Sequence, residues 1–150
     1  MKVDFILNNQ KVSYEIKPGD DLLTVLRKKH VTSVKNGCET SSCGVCTVLL
    51  NGKPVLSCSI LAASIQGKTV LTVDGIQDEI EKIANHFGDE GADQCGFCNS
   101  GLALTIYALK QEIPNPTDDE IKHYVAGNLC RCSGYQAQFL AIKGYLGEKQ

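Results

Sequence analysis

The 150-residue sequence has no excess of charge: 15 Lys and Arg against 17 Asp and Glu leave a formal −2. A near-neutral chain offers no field for nucleic acid or for an anionic membrane. No apolar run approaches the roughly 18 residues of a membrane-spanning helix, so membrane insertion is excluded. The N-terminus, Met1 to Leu7, turns polar at Asn8-Asn9-Gln10, too soon for a secretory leader. This predicts a cytoplasmic chain, in a compartment where thiols stay reduced. Repeats and low-complexity tracts are missing. His30, His86 and His123 stand alone, with no carboxylate or nucleophile pattern beside them, so no catalytic residue is expected here.

Against these absences stand eight cysteines. In a reducing compartment that number points to metal ligands rather than disulfides. They fall into two sets of four, Cys38, Cys43, Cys46 and Cys58, then Cys95, Cys98, Cys130 and Cys132, with none left over. Cys38 to Cys46 is a C-x4-C-x2-C run, the plant-type ferredoxin spacing for a [2Fe–2S] cluster. Such a loop must wrap its cluster with backbone N–H groups aimed at sulfur, and the small residues Gly37, Ser41, Ser42 and Gly44 allow it. The alternatives are a zinc site, which usually pairs two C-x2-C hooks, or a disulfide staple.

The order of patterns predicts an α+β chain. Val3–Leu7 and Val12–Ile16 read as a hairpin around Asn8-Asn9-Gln10, and Asp20 or Asp21 caps a helix carrying Leu22, Leu23, Val25 and Leu26. Thr47–Leu50 and Pro54–Leu56 flank Asn51-Gly52, a strong hairpin signal, and Thr69–Val73 is a further strand. The expected first domain, residues 1–74, is a β-grasp, ferredoxin-like sheet with the helix across it. Residues 75–150 read as a four-helix bundle. Its helices are marked by Ile76, Ile80, Ile83 and Phe87, by the apolar Gly101–Leu109, by a capping box at Thr117 and Glu120, and by Phe139 to Tyr145 after Gly134. A break is expected over Gly88–Asp93, and a frayed tail over Gly147–Gln150.

The second set sits at helix junctions. Cys95-Gly96-Phe97-Cys98 precedes the apolar helix, and Cys130-Arg131-Cys132 follows the capped one. Helix N-termini favour thiolates, and Arg131 places a fixed positive charge between two candidate ligands.

Gly37-Cys38 through Val48, Gln94 through Cys98, and Gly127 through Tyr135 together resemble the iron–sulfur small subunit of the xanthine dehydrogenase family of molybdenum hydroxylases. The resemblance covers essentially the whole chain. It implies that Cys38, Cys43, Cys46 and Cys58 hold an outer [2Fe–2S] cluster and Cys95, Cys98, Cys130 and Cys132 an inner one. It implies that Gln94 contacts a molybdopterin cofactor held by a large partner subunit. The implied function is electron transfer, from that molybdenum centre through both clusters to an FAD-binding subunit or another acceptor. Two readings from other classes are a free-standing ferredoxin and a zinc adaptor. The chain departs from the family at Ser41, where glycine is usual, and at Asn99-Ser100, where Thr-Pro is usual. A left-handed backbone at Ser41 would cost roughly 1–2 kcal/mol and would bear on the outer cluster's potential. Asn99 is expected to cap the following helix.

Overall fold

A two-residue turn at Asn8-Asn9, with φ of 48° and 66°, reverses the chain between β1 (Lys2–Leu7) and β2 (Gln10–Glu15). Asparagine tolerates this left-handed conformation, which matches the twist of the paired strands. In the computed structural model, which describes residues 1–147, the same device recurs at Asn51-Gly52 between β3 (Thr47–Leu50) and β4 (Lys53–Leu56). β5 (Thr69–Leu71) completes a five-stranded sheet in the order β2-β1-β5-β3-β4. β5 runs parallel to β1 and antiparallel to β3. Alternation along β1 buries Val3, Phe5 and Leu7 on one face. There they meet Leu22, Leu23, Val25 and Leu26 of α1 (Leu22–Lys28), capped by Asp21, whose carboxylate accepts from Thr24 N at 2.7 Å. The mixed sheet with one helix packed on it is the expected β-grasp arrangement.

The strand predicted over Thr69–Val73 stops at Leu71, because Val73–Gly75 winds into a short 3-10 turn. Four helices follow: α2 (Gln77–Asp89), α3 (Asn99–Glu112), α4 (Asp118–Val125) and α5 (Gln136–Gly147). α2 carries through Gly88 and Asp89, so the break expected from Gly88 begins at Glu90. Both halves of the Thr117–Glu120 capping box form. α3 is buried nearly all round, with Leu102, Leu104, Ile106 and Leu109 at 3% exposure or less, and it is the axis of the helical half. The frayed tail expected over residues 147–150 lies outside the described residues beyond Gly147.

Asn99 does not cap α3. Cys98 occupies the cap position, and the Asn99 amide instead donates to Asp93 Oδ1 at 2.9 Å. Ser100, where the family usually has proline, leaves its Oγ buried without a hydrogen-bond partner.

The two halves meet backbone to backbone. A Cβ on Gly101 of α3 would lie 2.3 Å from the carbonyl oxygen of Gly44 and 3.0 Å from Val45 Cα. Gly44, at φ +75°, is in turn closed off by the Gly127 carbonyl, 2.3 Å from where its own Cβ would be. Leu104 and Ala108 of α3 pack on Leu49 of β3 beside this contact.

Candidate iron–sulfur sites

The first set lies on the loop between α1 and β3 and on the 3-10 turn Ser57–Ser59 that follows β4. The loop alternates hand: Glu39, Ser41 and Gly44 have φ of 56°, 55° and 75°. Successive changes of hand turn backbone N–H groups to one side, an anion-binding nest. The N–H groups of Ser42, Thr40 and Cys43 converge on Cys38, and they pull its thiol down to about 5. The left-handed serine is therefore real, and its expected cost of roughly 1–2 kcal/mol applies. Its hydroxyl lies 3.4 Å from Cys58 Sγ. Cys46 Sγ is 3.5 Å from Cys58 Sγ, and Cys46 is buried at 4% exposure. Burial pushes the Cys46 and Cys43 thiols up.

The second set lines a cavity of about 400 Å3, together with Gly37, Cys43, Phe97, Leu129, Arg131 and Tyr135. All four of its cysteines face the same space. Cys95 and Cys98 come from the hook at the head of α3, Cys130 and Cys132 from the loop between α4 and α5. Donors surround the sulfurs. Phe97 N lies 3.5 Å from Cys95 Sγ, Ser133 N and Oγ lie 3.5 and 3.3 Å from Cys130 Sγ, and Gln138 Nε2 lies 3.7 Å from Cys98 Sγ. Burial pushes Cys98 up to about 11, reinforced by Cys130 beside it. In the metal-free chain, desolvation outweighs the Gln138 and backbone donors around this thiol. Burial also raises Cys130, but the Ser133 hydroxyl and N–H and the Cys132 N–H outweigh it and bring it down to about 7. Cys132 is raised, chiefly by its neighbour Cys95.

These values separate the metal-free thiols. At pH 7 Cys38 is almost wholly thiolate and Cys98 almost wholly thiol. Their thiolate fractions differ by about 10,000-fold, and the lower nucleophilicity of the more acidic thiol takes back all but about twentyfold. Limited alkylation of the metal-free chain, followed by peptide mass mapping, should label Cys38 at least about twenty times faster than Cys98. The Cys38 rate should fall as pH drops through about 5.

Arg131 is exposed and lines the cavity from between two cysteines. Gln94 is exposed, and its Nε2 donates to the Cys132 carbonyl at 3.1 Å, so it pins the Cys130–Cys132 strand from the Cys95 side. Sequence reasoning missed several residues that join the sites. Leu129 N donates to the Cys43 carbonyl at 2.9 Å. Asn128, buried, donates from Nδ2 to the Gly44 carbonyl at 3.3 Å. Lys35 Nζ donates to the Gly96 and Phe97 carbonyls at 3.2 and 3.3 Å and lies 5.2 Å from the Phe97 ring centroid. A Cβ on Gly37 would touch both Cys43 Sγ and the Phe97 ring at 3.3 Å. The Gly127–Tyr135 motif contains Asn128 and Leu129 and the Gly37–Val48 motif contains Gly37, but neither motif shows the contacts between them. Nothing in the sequence pairs Lys35 with Gly96.

The residues present fit [2Fe–2S] clusters. Each set offers four thiols and no other donor type, with N–H or O–H groups aimed at sulfur. Among the described residues, no three His, Cys, Asp or Glu side chains are spaced for a single metal ion. The second set instead spreads around a cavity larger than one ion.

A ferredoxin-type sheet with a four-cysteine site, joined to a helical unit with a second four-cysteine site, defines a class of two-site iron–sulfur proteins. Residues 5–72 match the 2Fe-2S iron-sulfur cluster binding domain, and residues 72–143 match the [2Fe-2S] binding domain. The nicotinate dehydrogenase small FeS subunit of Eubacterium barkeri is 40% identical over 94% of this chain and 92% of its own. The xanthine dehydrogenase iron-sulfur-binding subunit of Escherichia coli is 37% identical over 89% and 87%. Quinoline 2-oxidoreductase from Pseudomonas putida contains a chain that superposes with a TM-score of 0.90 at 33% identity, covering 97% of this chain and 93% of that one. The aldehyde oxidoreductase from Desulfovibrio desulfuricans also superposes with a TM-score of 0.90, at 32% identity, over 17% of its length. The chain belongs to the iron–sulfur small-subunit family of the xanthine dehydrogenase-type molybdenum hydroxylases.

Proposed function

We propose that this chain is the two-cluster relay of a molybdenum hydroxylase, with residues 1–74 and 75–150 as its two cluster-holding units. Cys38, Cys43, Cys46 and Cys58 hold the outer [2Fe–2S] cluster, and Cys95, Cys98, Cys130 and Cys132 the inner one. When bound, each cluster takes up and gives back one electron. The protein's task is to hold the two sites close and unequal. Leu129 and Cys43 carry the proposal: the N–H beside Cys130 bonds the carbonyl of a first-set cysteine at 2.9 Å. A hydrogen bond and a few covalent bonds then join one ligand set to the other. Cys43 also lines the second cavity, so a first-set cysteine borders the space around the second set.

A large molybdopterin-binding subunit faces the second site. Gln94 holds the Cys132 strand with its Nε2 and presents the remaining amide edge for the pterin. Arg131, beside the inner ligands, favours added negative charge there. The exposed first loop, Glu39 to Ser42, faces the acceptor, an FAD-binding subunit or its equivalent. The complex works in the cytoplasm.

The test is to isolate the chain with whatever holds it in its native extract and to add the complex's substrate under stopped flow. Bleaching of both cluster absorptions, in a complex containing a molybdopterin subunit, is the expected result. Gln94→Ala in that complex should slow bleaching at least about tenfold while iron content stays unchanged. A chain that carries both clusters but runs alone in the extract would mark it as a free ferredoxin and end the proposal.

A further inference from the structure

The first-site loop holds a serine in a conformation that glycine would adopt freely. Ser41 sits at φ 55°, exposed, with no packing that requires a side chain there. What the side chain gains is its contact with Cys58: Ser41 Oγ is 3.4 Å from Cys58 Sγ. The flanking hydroxyls of Thr40 and Ser42 bond each other at 2.9 Å and Thr40 also reaches Cys38, so Ser41 is the hydroxyl of this loop turned to the opposite cysteine, Cys58. Around Cys58 Sγ stand also Cys46 Sγ at 3.5 Å and, more distantly, Ser59 Oγ at 3.8 Å. The other loop donors turn to other sulfurs: the N–H groups of Thr40, Ser42 and Cys43 and the Thr40 side chain to Cys38, and the Val45 N–H to Cys43. A side-chain hydroxyl on the opposite cysteine is therefore a separate, dispensable device.

We infer that Ser41 is a positioning residue that raises the reduction potential of the first site by donating its hydroxyl hydrogen to Cys58 sulfur. The inference rests on Cys58 being a ligand, as proposed above. A deprotonated, metal-holding sulfur is an acceptor only, so Ser41 is the donor. An electron arriving at the site adds negative charge to its sulfurs, and a hydrogen bond to them strengthens accordingly. The bond thus favours the site with the electron over the site without it. Since the first site is the outward terminal, Ser41 tilts the relay in the outward direction. Backbone strain is retained at the position because it places a polar group on a ligand.

The test uses Ser41→Ala and Ser41→Gly in the intact complex. Alanine keeps the Cβ and its strain but loses the hydroxyl; glycine loses both. Redox titration followed by the paramagnetic signals reads each site separately. Both variants should shift the distribution of one electron between the sites about tenfold away from the first, about 59 mV for a one-electron couple. The second site's midpoint should stay fixed. Thermal unfolding of the metal-free chain supplies the contrast: Ser41→Gly should raise Tm by roughly 2–4 °C, and Ser41→Ala should not. A stability gain in Ser41→Gly with the electron distribution between the sites within about twofold of the parent in both variants would overturn the inference, as would equal movement of both sites. Failure of the ligand assignment itself would look different: Cys58→Ser would then leave the first-site signal intact.

Discussion

Gly101→Ala should destabilise the metal-free chain by about 1–3 kcal/mol, read from the denaturant midpoint at unchanged slope. The sign is opposite to what helix propensity dictates. In an ordinary helix interior the same change gains about 1 kcal/mol, because glycine loses more backbone freedom on folding. At position 101 the new Cβ would meet the Gly44 carbonyl oxygen at 2.3 Å and Val45 Cα and carbonyl oxygen at 3.0 Å. All three are backbone atoms, so no rotamer change relieves the clash. Gly44 cannot retreat either, since the Gly127 carbonyl and Asn128 stand behind it. The relief must come from parting α3 from the first cysteine loop, which breaks the Leu129–Cys43 and Asn128–Gly44 bonds together. Gly88→Ala, in α2 with nothing within 4 Å of its Cβ, is the control and should be neutral or gain up to about 1 kcal/mol. A Gly101→Ala chain as stable as its parent would mean that the two halves are not in this contact.

Cys98→Ser should remove the second cluster and leave the first. Iron per chain falls from about four to about two, one of the two reduced paramagnetic signals disappears, and substrate-driven reduction of the first site slows by at least about 100-fold. Cys98 is the ligand candidate that the site spares least. It stands at the cap of α3, and burial holds its thiol up to about 11 until a metal displaces the proton. A serine hydroxyl there has a still higher proton affinity and no soft donor to offer. The first site does not depend on α3 for any cysteine, so it should load normally. Loss of both signals would show that the sites assemble as one unit, and retention of both would show that Cys98 is not a ligand.

What was legible in the sequence was local. Asn8-Asn9 and Asn51-Gly52 encode their turns in residue types alone, and Thr117 with Glu120 encodes its cap. The cysteine pairs at 95/98 and 130/132 fell at helix junctions where hydrophobic periodicity put them. The misreading at Asn99 is local, whereas the contacts that join the sites come from far along the chain. Asn99 looked like a cap, but Asp93 takes its amide, and Cys98 stands one residue earlier. That the metal-free Cys98 thiol is held protonated comes from desolvation by residues brought together in the bundle, which no local pattern reports. Lys35 and Asn128 act across separations of 61 and 84 positions, which no spacing rule reports. Ser41 was visible as an exception, while the direction of its hydroxyl required the fold.

The bond from Leu129 to Cys43 also orders the making of the protein. The ribosome releases Cys58 well before Cys132; the 74 residues between them take roughly 4–15 s at ordinary translation rates. In that interval the first four cysteines are all present, yet the wall that Leu129 and Asn128 give their loop has not been synthesised. The second four cannot be gathered until the chain is nearly finished. An iron donor that acted on the growing chain would meet one open site and half of another. The first site is thus complete in cysteines long before its loop is backed, whereas the second is gathered and the first backed in one late step.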